Sequence, residues 1–180
     1  MKKKSFVMVL ALVLVFAVAV GGVVAWLTAT TGSVVNTFTV GDINIDLDES
    51  KNLDLKMVPG NTIAKDPKVT VKPNSEACWL FVKVEESTNF DTFMTYTMAD
   101  GWNELAGEDG VYYREVPATT SATSFDVLKD NQVIVNSDVT KTQLEEVKTA
   151  NQPTLTFTAY AVQKDNIADA ATAWGKIPTP

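Results

Sequence analysis

The chain has 180 residues, of which 22 are acidic and 15 basic, with one cysteine and no histidine. That composition rules out Ser-His-Asp and Cys-His arrangements, His-based zinc sites and an intrachain disulfide. The formal net charge is −7; removing Lys2, Lys3 and Lys4 leaves 12 basic against 22 acidic residues, a net −10, which offers no basic footprint to nucleic acid or to anionic lipid. Catalysis by carboxylates alone stays chemically open, but no motif supports it. The chain is therefore expected not to be an enzyme, to have no catalytic and no metal-binding residues, and to need no cofactor.

Lys2 to Lys4 precede an uncharged apolar run over residues 6–20, then Gly21-Gly22, then the small Ala25 before Trp26. This is the layout of an export signal, with a basic start, an apolar centre and a small residue at the cut. Residues 1–25 are expected to be a signal peptide cleaved between Ala25 and Trp26. The alternative is a retained anchor, since residues 6–27 carry no charge. At about 1.5 Å per residue they would cross a hydrocarbon core of roughly 30 Å. Gly21-Gly22 would break the helix just before Ala25, which favours cleavage. Either way the rest of the chain is expected to work outside the membrane, secreted or at the cell surface.

Residues 26–40 are uncharged, β-prone and rich in Thr and Ser, too polar for simple core. Freed at its N-terminus, such a segment could add as a strand to an exposed sheet edge of another copy. Backbone hydrogen bonds would then give affinity and alternate side chains register. Trp26, Leu27, Val34, Val35, Phe38 and Val40 make up this self-assembly segment, with Val35, Phe38 and Val40 as anchors. The competing reading makes residues 35–40 an ordinary first strand within their own domain. A head-to-tail contact, repeated, gives a filament unless a ring closes.

Residues 42–48 alternate strictly, Ile43, Ile45 and Leu47 against Asp42, Asn44, Asp46 and Asp48, and predict a half-buried strand. The acidic face is expected to be solvated, because alternate strand positions hold carboxylates nearly 7 Å apart, at about 3.4 Å per residue. Residues 49–56 read as a polar loop and Pro59-Gly60-Asn61 as a turn. Residues 68–72 predict another alternating strand. Residues 77–85 predict the strongest strand, in the middle of a sheet, with Cys78 buried as a small hydrophobe. Residues 87–99 fit a helical turn or a short strand. Asp100-Gly101-Trp102 reads as a turn with Trp102 beside the core. Asp109-Gly110 turns into a strand over residues 111–116. Residues 117–124 read as a Thr/Ser-rich loop, after which Phe125, Val127 and Leu128 return to the core. Residues 132–135 predict a short strand. Thr140 and Gln143 can form a capping box for a helix reaching about Thr149. Pro153 opens a last long strand over 155–162, with Leu155, Phe157, Ala159 and Ala161 on one face and Tyr160 and Val162 on the other. Asp165 or Asn166 is expected to cap a short helix containing Ile167, Ala170, Ala171 and Trp174.

About eight short strands and one or two short helices predict a mainly β chain, a jelly-roll-like antiparallel β-sandwich over residues 41–180. No repeat or low-complexity linker suggests a second domain.

Three stretches carry a family resemblance: Gly21-Gly22, Ala25-Trp26-Leu27-Thr28, and the run from Val35-Asn36-Thr37-Phe38 to Asn44-Ile45. The chain resembles the TasA/camelysin-like group of Gram-positive secreted proteins with a SipW-dependent type of signal peptide. Val58-Pro59-Gly60-Asn61, Lys65-Asp66-Pro67-Lys68, residues 77–84, Tyr160-Ala161-Val162-Gln163 and Ala173-Trp174 are similar to later segments of the group. Lys72-Pro73-Asn74-Ser75 departs from it. The resemblance implies a jelly-roll sandwich and processing by a dedicated signal peptidase of SipW type. For the better-known members it also implies biofilm-matrix fibres, in which the mature N-terminal segment pairs with the sheet of the next subunit. A metallopeptidase label attached to some members is not carried over, because the zinc-binding residues are missing.

The expected function is thus a secreted structural protein that self-assembles into extracellular or cell-surface fibres as a head-to-tail homo-oligomer. Other matrix or cell-wall components are candidate partners, and nucleic acid is not. The alternative is a monomeric sandwich that binds glycan or protein through loops 87–102 or 116–124, which exposed aromatic residues there would favour.

Overall fold

The computed structural model describes residues 42–50, 56–148 and 150–178. The proposed signal peptide with Ala25 lies outside the described residues, as do Trp26, Leu27, Val34, Val35, Phe38 and Val40 of the self-assembly segment and residues 51–55 of the first loop. The element order is β1 (Ile45–Asp48), β2 (Thr62–Ala64), β3 (Lys68–Val71), β4 (Cys78–Glu86), α1 (Phe90–Phe93), β5 (Met94–Thr95), β6 (Asn103–Glu104), β7 (Val111–Val116), β8 (Thr123–Asp126), a 3-10 turn (Lys129–Asn131), β9 (Gln132–Val135), α2 (Lys141–Val147), β10 (Leu155–Gln163) and α3 (Ala170–Trp174). The chain is mainly β, and every strand pair is antiparallel. The strands form three sheets, ordered β1-β3-β8, β10-β4-β7-β6 and β2-β9-β5.

The four-stranded sheet is built on β4, whose first five residues, Cys78 to Val82, are apolar on both faces because both are covered. Cys78, Leu80, Val82 and Val84 pack with Val69 and Val71 of β3, Val116 and Val127. Trp79 and Phe81 pack the opposite way with Leu105, Val111, Ala170 and Ala173. Phe81, Leu80 and Val82 are fully buried, each worth about 1.5–3 kcal/mol relative to exposure. β10 follows the same parity. Leu155, Phe157, Ala159 and Ala161 join the first of these clusters, and Tyr160 and Val162 the second. Trp174 of α3 meets Tyr160 edge-on at 5.6 Å and lies 5.3 Å from Phe81. A third cluster gathers Ile63, Phe93, Met94, Val133 and Val135 of the β2-β9-β5 side with Val147 of α2.

Several expectations hold. β4 lies inside its sheet between β10 and β7. Ile43, Ile45 and Leu47 are half-buried while Asp42, Asn44, Asp46 and Asp48 are exposed. The capping box is made: the Thr140 hydroxyl accepts from the Gln143 amide and the Gln143 side chain accepts from the Thr140 amide. Trp102 is buried, its indole N–H donating to the Asp126 carbonyl at 2.9 Å.

Other expectations are corrected. Three short helices stand where one or two were expected, because residues 90–93 close a single turn, α1, before the chain extends into β5. Among the described residues ten strands stand, more than the about eight expected; β2, β5 and β6 have only two or three residues each. β8 begins at Thr123, inside the expected loop, where Thr123 and Ser124 pair with Val71 and Thr70. The cap of α3 is Asp169, whose carboxylate accepts from the Thr172 amide at 2.7 Å. Asn166 instead takes a positive φ of 63°, which serves a turn, whereas a cap needs the extended backbone found at Asp169.

Candidate functional site: the open edge of β10

Among the described residues the three sheets have six edge strands: β1 and β8, β10 and β6, and β2 and β5. Five are short, at two to four residues. β10 has nine. An edge strand presents unpaired N–H and C=O groups, and proteins usually protect it by brevity, charge, proline or a bulge. β10 has none of these. Leu155-Thr156-Phe157-Thr158-Ala159-Tyr160-Ala161-Val162-Gln163 carries no charge, no proline and no glycine. Its nine pairs with β4 run in unbroken register from Leu155–Glu86 to Gln163–Cys78.

Two hydrogen bonds flanking this ladder fix which groups point outward. The Ser87 amide donates to the Thr154 carbonyl at 3.0 Å, and the Lys164 amide donates to the Ala77 carbonyl at 2.8 Å. In an antiparallel ladder hydrogen-bonded pairs alternate with non-bonded pairs. The even-numbered residues of this strand therefore face β4 with their backbone groups. The N–H and C=O groups of Leu155, Phe157, Ala159, Ala161 and Gln163 face away, and no described strand pairs with them. On the other side of β4, the Val84 amide donates to the Gly110 carbonyl at 2.8 Å. Even positions of β4 thus bond to β7 and odd ones to β10, as the same alternation requires.

A cavity of about 560 Å³ opens at the start of this edge, lined by Leu155 and Thr156 of β10, Ile63 of the β2 edge, and Phe90, Met94 and Val133. Lys65 also reaches it, paired with Glu49 at 2.8 Å and 5.4 Å from the Phe157 ring centre. The site is thus a strip of backbone that no described strand pairs with, beside an apolar recess that could seat a large side chain.

The loops considered for ligand binding look different. Phe90, Phe93 and Trp102 are buried. Tyr96 is half-buried, and its hydroxyl donates to Glu86 at 2.7 Å. Burial and that carboxylate push its pKa well above the ordinary tyrosine range. The large hydrophobics exposed among the described residues are Val58 and Ile134, neither aromatic.

On the acidic face of β1, Asp46 pairs with Lys72 at 2.9 Å and Asp42 accepts from the Asn44 side chain at 2.7 Å. Among the described residues no group of three or more Cys, Asp and Glu side chains gathers to hold a metal ion. Cys78 is fully buried and unpaired, and burial raises its thiol pKa to about 11. Among the described residues no helix is long and apolar enough to cross a membrane.

Set against protein-family models, curated proteins and solved structures, the chain matches none. Its functional reading therefore rests on its own residues.

Sequence reasoning did not single out the β10 edge. The signal was present in the uncharged, alternating run 155–163, but nothing in that run says which of its two sides lacks a neighbour.

Proposed function

We propose that this chain is a secreted structural protein that self-assembles into extracellular or cell-surface fibres of a biofilm matrix by strand addition between subunits. Residues 1–25 would be removed between Ala25 and Trp26 by a signal peptidase of SipW type. The freed segment would then add along β10 of the next copy, with Trp26, Leu27, Val34, Val35, Phe38 and Val40 supplying its side chains. The observation that carries this reading is the nine-residue, uncharged edge of β10, with which no described strand pairs; it is the kind of edge that strand addition uses. The recess lined by Ile63 and Leu155 offers a place for one apolar anchor.

In this reading the three sheets are parts of a jelly-roll-like sandwich. Two features favour that arrangement: one cluster lies between β3 and β4, and β2 leads into β3 as β8 leads into β9. The sandwich is a scaffold and does no chemistry. Burial of the aromatic residues in loop 87–102 weighs against the binding-module alternative.

The test compares the protein starting at Trp26 with one starting at Asn36, by negative-stain electron microscopy at rising concentration. Filaments from the longer form alone are the expected result. Two monomeric preparations under all conditions would reject the proposal and put the binding module first.

A further inference from the structure

Arg114, on β7, is the chain's single arginine. It stands opposite Leu80 of β4, so its side chain starts from the face that packs against β3 and β8. Its guanidinium lies 3.9 Å from the Phe125 ring centre and 5.2 Å from the Trp102 ring centre. Its Nε is buried with no hydrogen-bond partner, while the residue as a whole is half-buried. Gly101 is pressed against the group: a Cβ there would sit 2.8 Å from Nη2. Among the described residues six lysines pair with carboxylates. Among the described residues Arg114 makes neither an ion pair nor a side-chain hydrogen bond. Burial alone lowers its pKa, with no neighbouring carboxylate opposing the shift.

A guanidinium taken partly out of water normally recovers hydrogen bonds from an anion. Here the rings fix its plane and the glycine fixes one flank. The Nη1/Nη2 end has no hydrogen-bond partner among the described residues, and its spacing matches the two oxygens of a carboxylate. Lys68 of β3 is tied to Asp126 at 3.2 Å. One uncompensated positive charge suits a monoanion better than a phosphate dianion.

We propose that Arg114, clamped by Phe125, Trp102 and Gly101, is a carboxylate-binding site. It takes one carboxylate end-on, from an acidic side chain of a second copy or from a free small carboxylate. The site does not rest on the fibre reading.

A single arginine gives a single side-chain Nε–H signal in a 15N NMR spectrum, which makes the test direct. The labelled protein is titrated with sodium acetate and, at matched ionic strength, with sodium chloride. The expected result is a saturable shift of the Nε signal with acetate, and a small, linear one with chloride. The Trp102 indole N–H should follow the same acetate curve. Equal responses to the two salts, or none, would overturn the site. A dilution series without acetate separates the sources: movement with protein concentration assigns the carboxylate to a second copy, and movement with acetate alone assigns it to a free acid. Arg114→Lys keeps the charge but loses the fork, and should weaken acetate binding at least tenfold, read at the Trp102 indole. A variant that binds as the parent does would equally refute the assignment.

Discussion

The hydrogen-bond parity of β10 makes opposite predictions for two adjacent residues. Thr158 is paired with Lys83 and has its backbone groups turned toward β4, while Ala159, opposite Val82, turns its own outward. Proline at 158 would remove one ladder bond, worth about 1 kcal/mol net, and orphan the Lys83 carbonyl, a further 1–3 kcal/mol or so. The expected loss is about 2–4 kcal/mol. At a urea slope of roughly 2 kcal/mol/M, the midpoint should fall by about 1–2 M. Proline at 159 removes an N–H with no described partner, at a position where edge strands tolerate proline. Its expected loss is under about 1 kcal/mol. Urea unfolding followed by tryptophan fluorescence measures both. The Ala159→Pro protein, folded but with one outward donor replaced by a ring, should also fail to form filaments. Equal destabilisation by the two prolines would show that the outward N–H is already bonded within the monomer. The edge would then be closed and unable to accept a strand.

Three further outcomes follow from local geometry. Gly110 has φ +70°, and a Cβ there would clash with the Val84 carbonyl oxygen, so Gly110→Ala should cost at least about 2 kcal/mol from the left-handed backbone and the clash together, read as a lower urea midpoint. Thr140→Ala removes the hydroxyl half of the α2 capping box and should cost about 1 kcal/mol in the same assay. Cys78, whose thiol pKa rises from 9.0 to about 11 on burial, should resist a thiol reagent at pH 8 until denaturant is added. Because the unfolded thiol ionises first, the unfolded state holds fewer protons above pH 9. Stability should therefore fall as pH rises from about 9 to 11, and Cys78→Ala should flatten that part of the profile.

What the sequence made legible depended on element length. β4 and β10 each have nine residues, enough for period two to show, and for β4 to be recognised as covered on both faces by Leu80 and Val82 on one side and Trp79 and Phe81 on the other. The α2 cap was readable because Thr140 and Gln143 satisfy each other locally. β5 and β6, at two residues each, cannot express a period, and only the partner strands β9 and β7 define them. The start of α3 was misplaced for a related reason. Asp165, Asn166 and Asp169 are all acceptable capping types, and what chooses among them is the Lys164–Ile167 turn, whose 3.0 Å bond places the helix after it. Arg114 was invisible as a site because its significance lies in a missing partner, which a sequence does not record.

The edge of β10 was half legible, and the missing half is instructive. Composition alone gives an uncharged strand with no gatekeeper. Topology adds that the other end of the same sheet finishes in the two-residue β6, which carries Glu104, and that the β1 edge carries Asp46 and Asp48. A chain with 22 acidic residues had ample charge with which to guard β10 as well, and a single lysine at Thr156 would have sufficed in principle. Thr156 is exposed, so Thr156→Lys should leave monomer stability within about 0.5 kcal/mol. Sedimentation of the assembled fraction, beside urea unfolding of the monomer, separates the two effects. Loss of assembly at unchanged stability would mean that the bare edge is used for assembly. Assembly at parental yield would mean that strand addition occurs elsewhere, and the proposed acceptor would have to be abandoned.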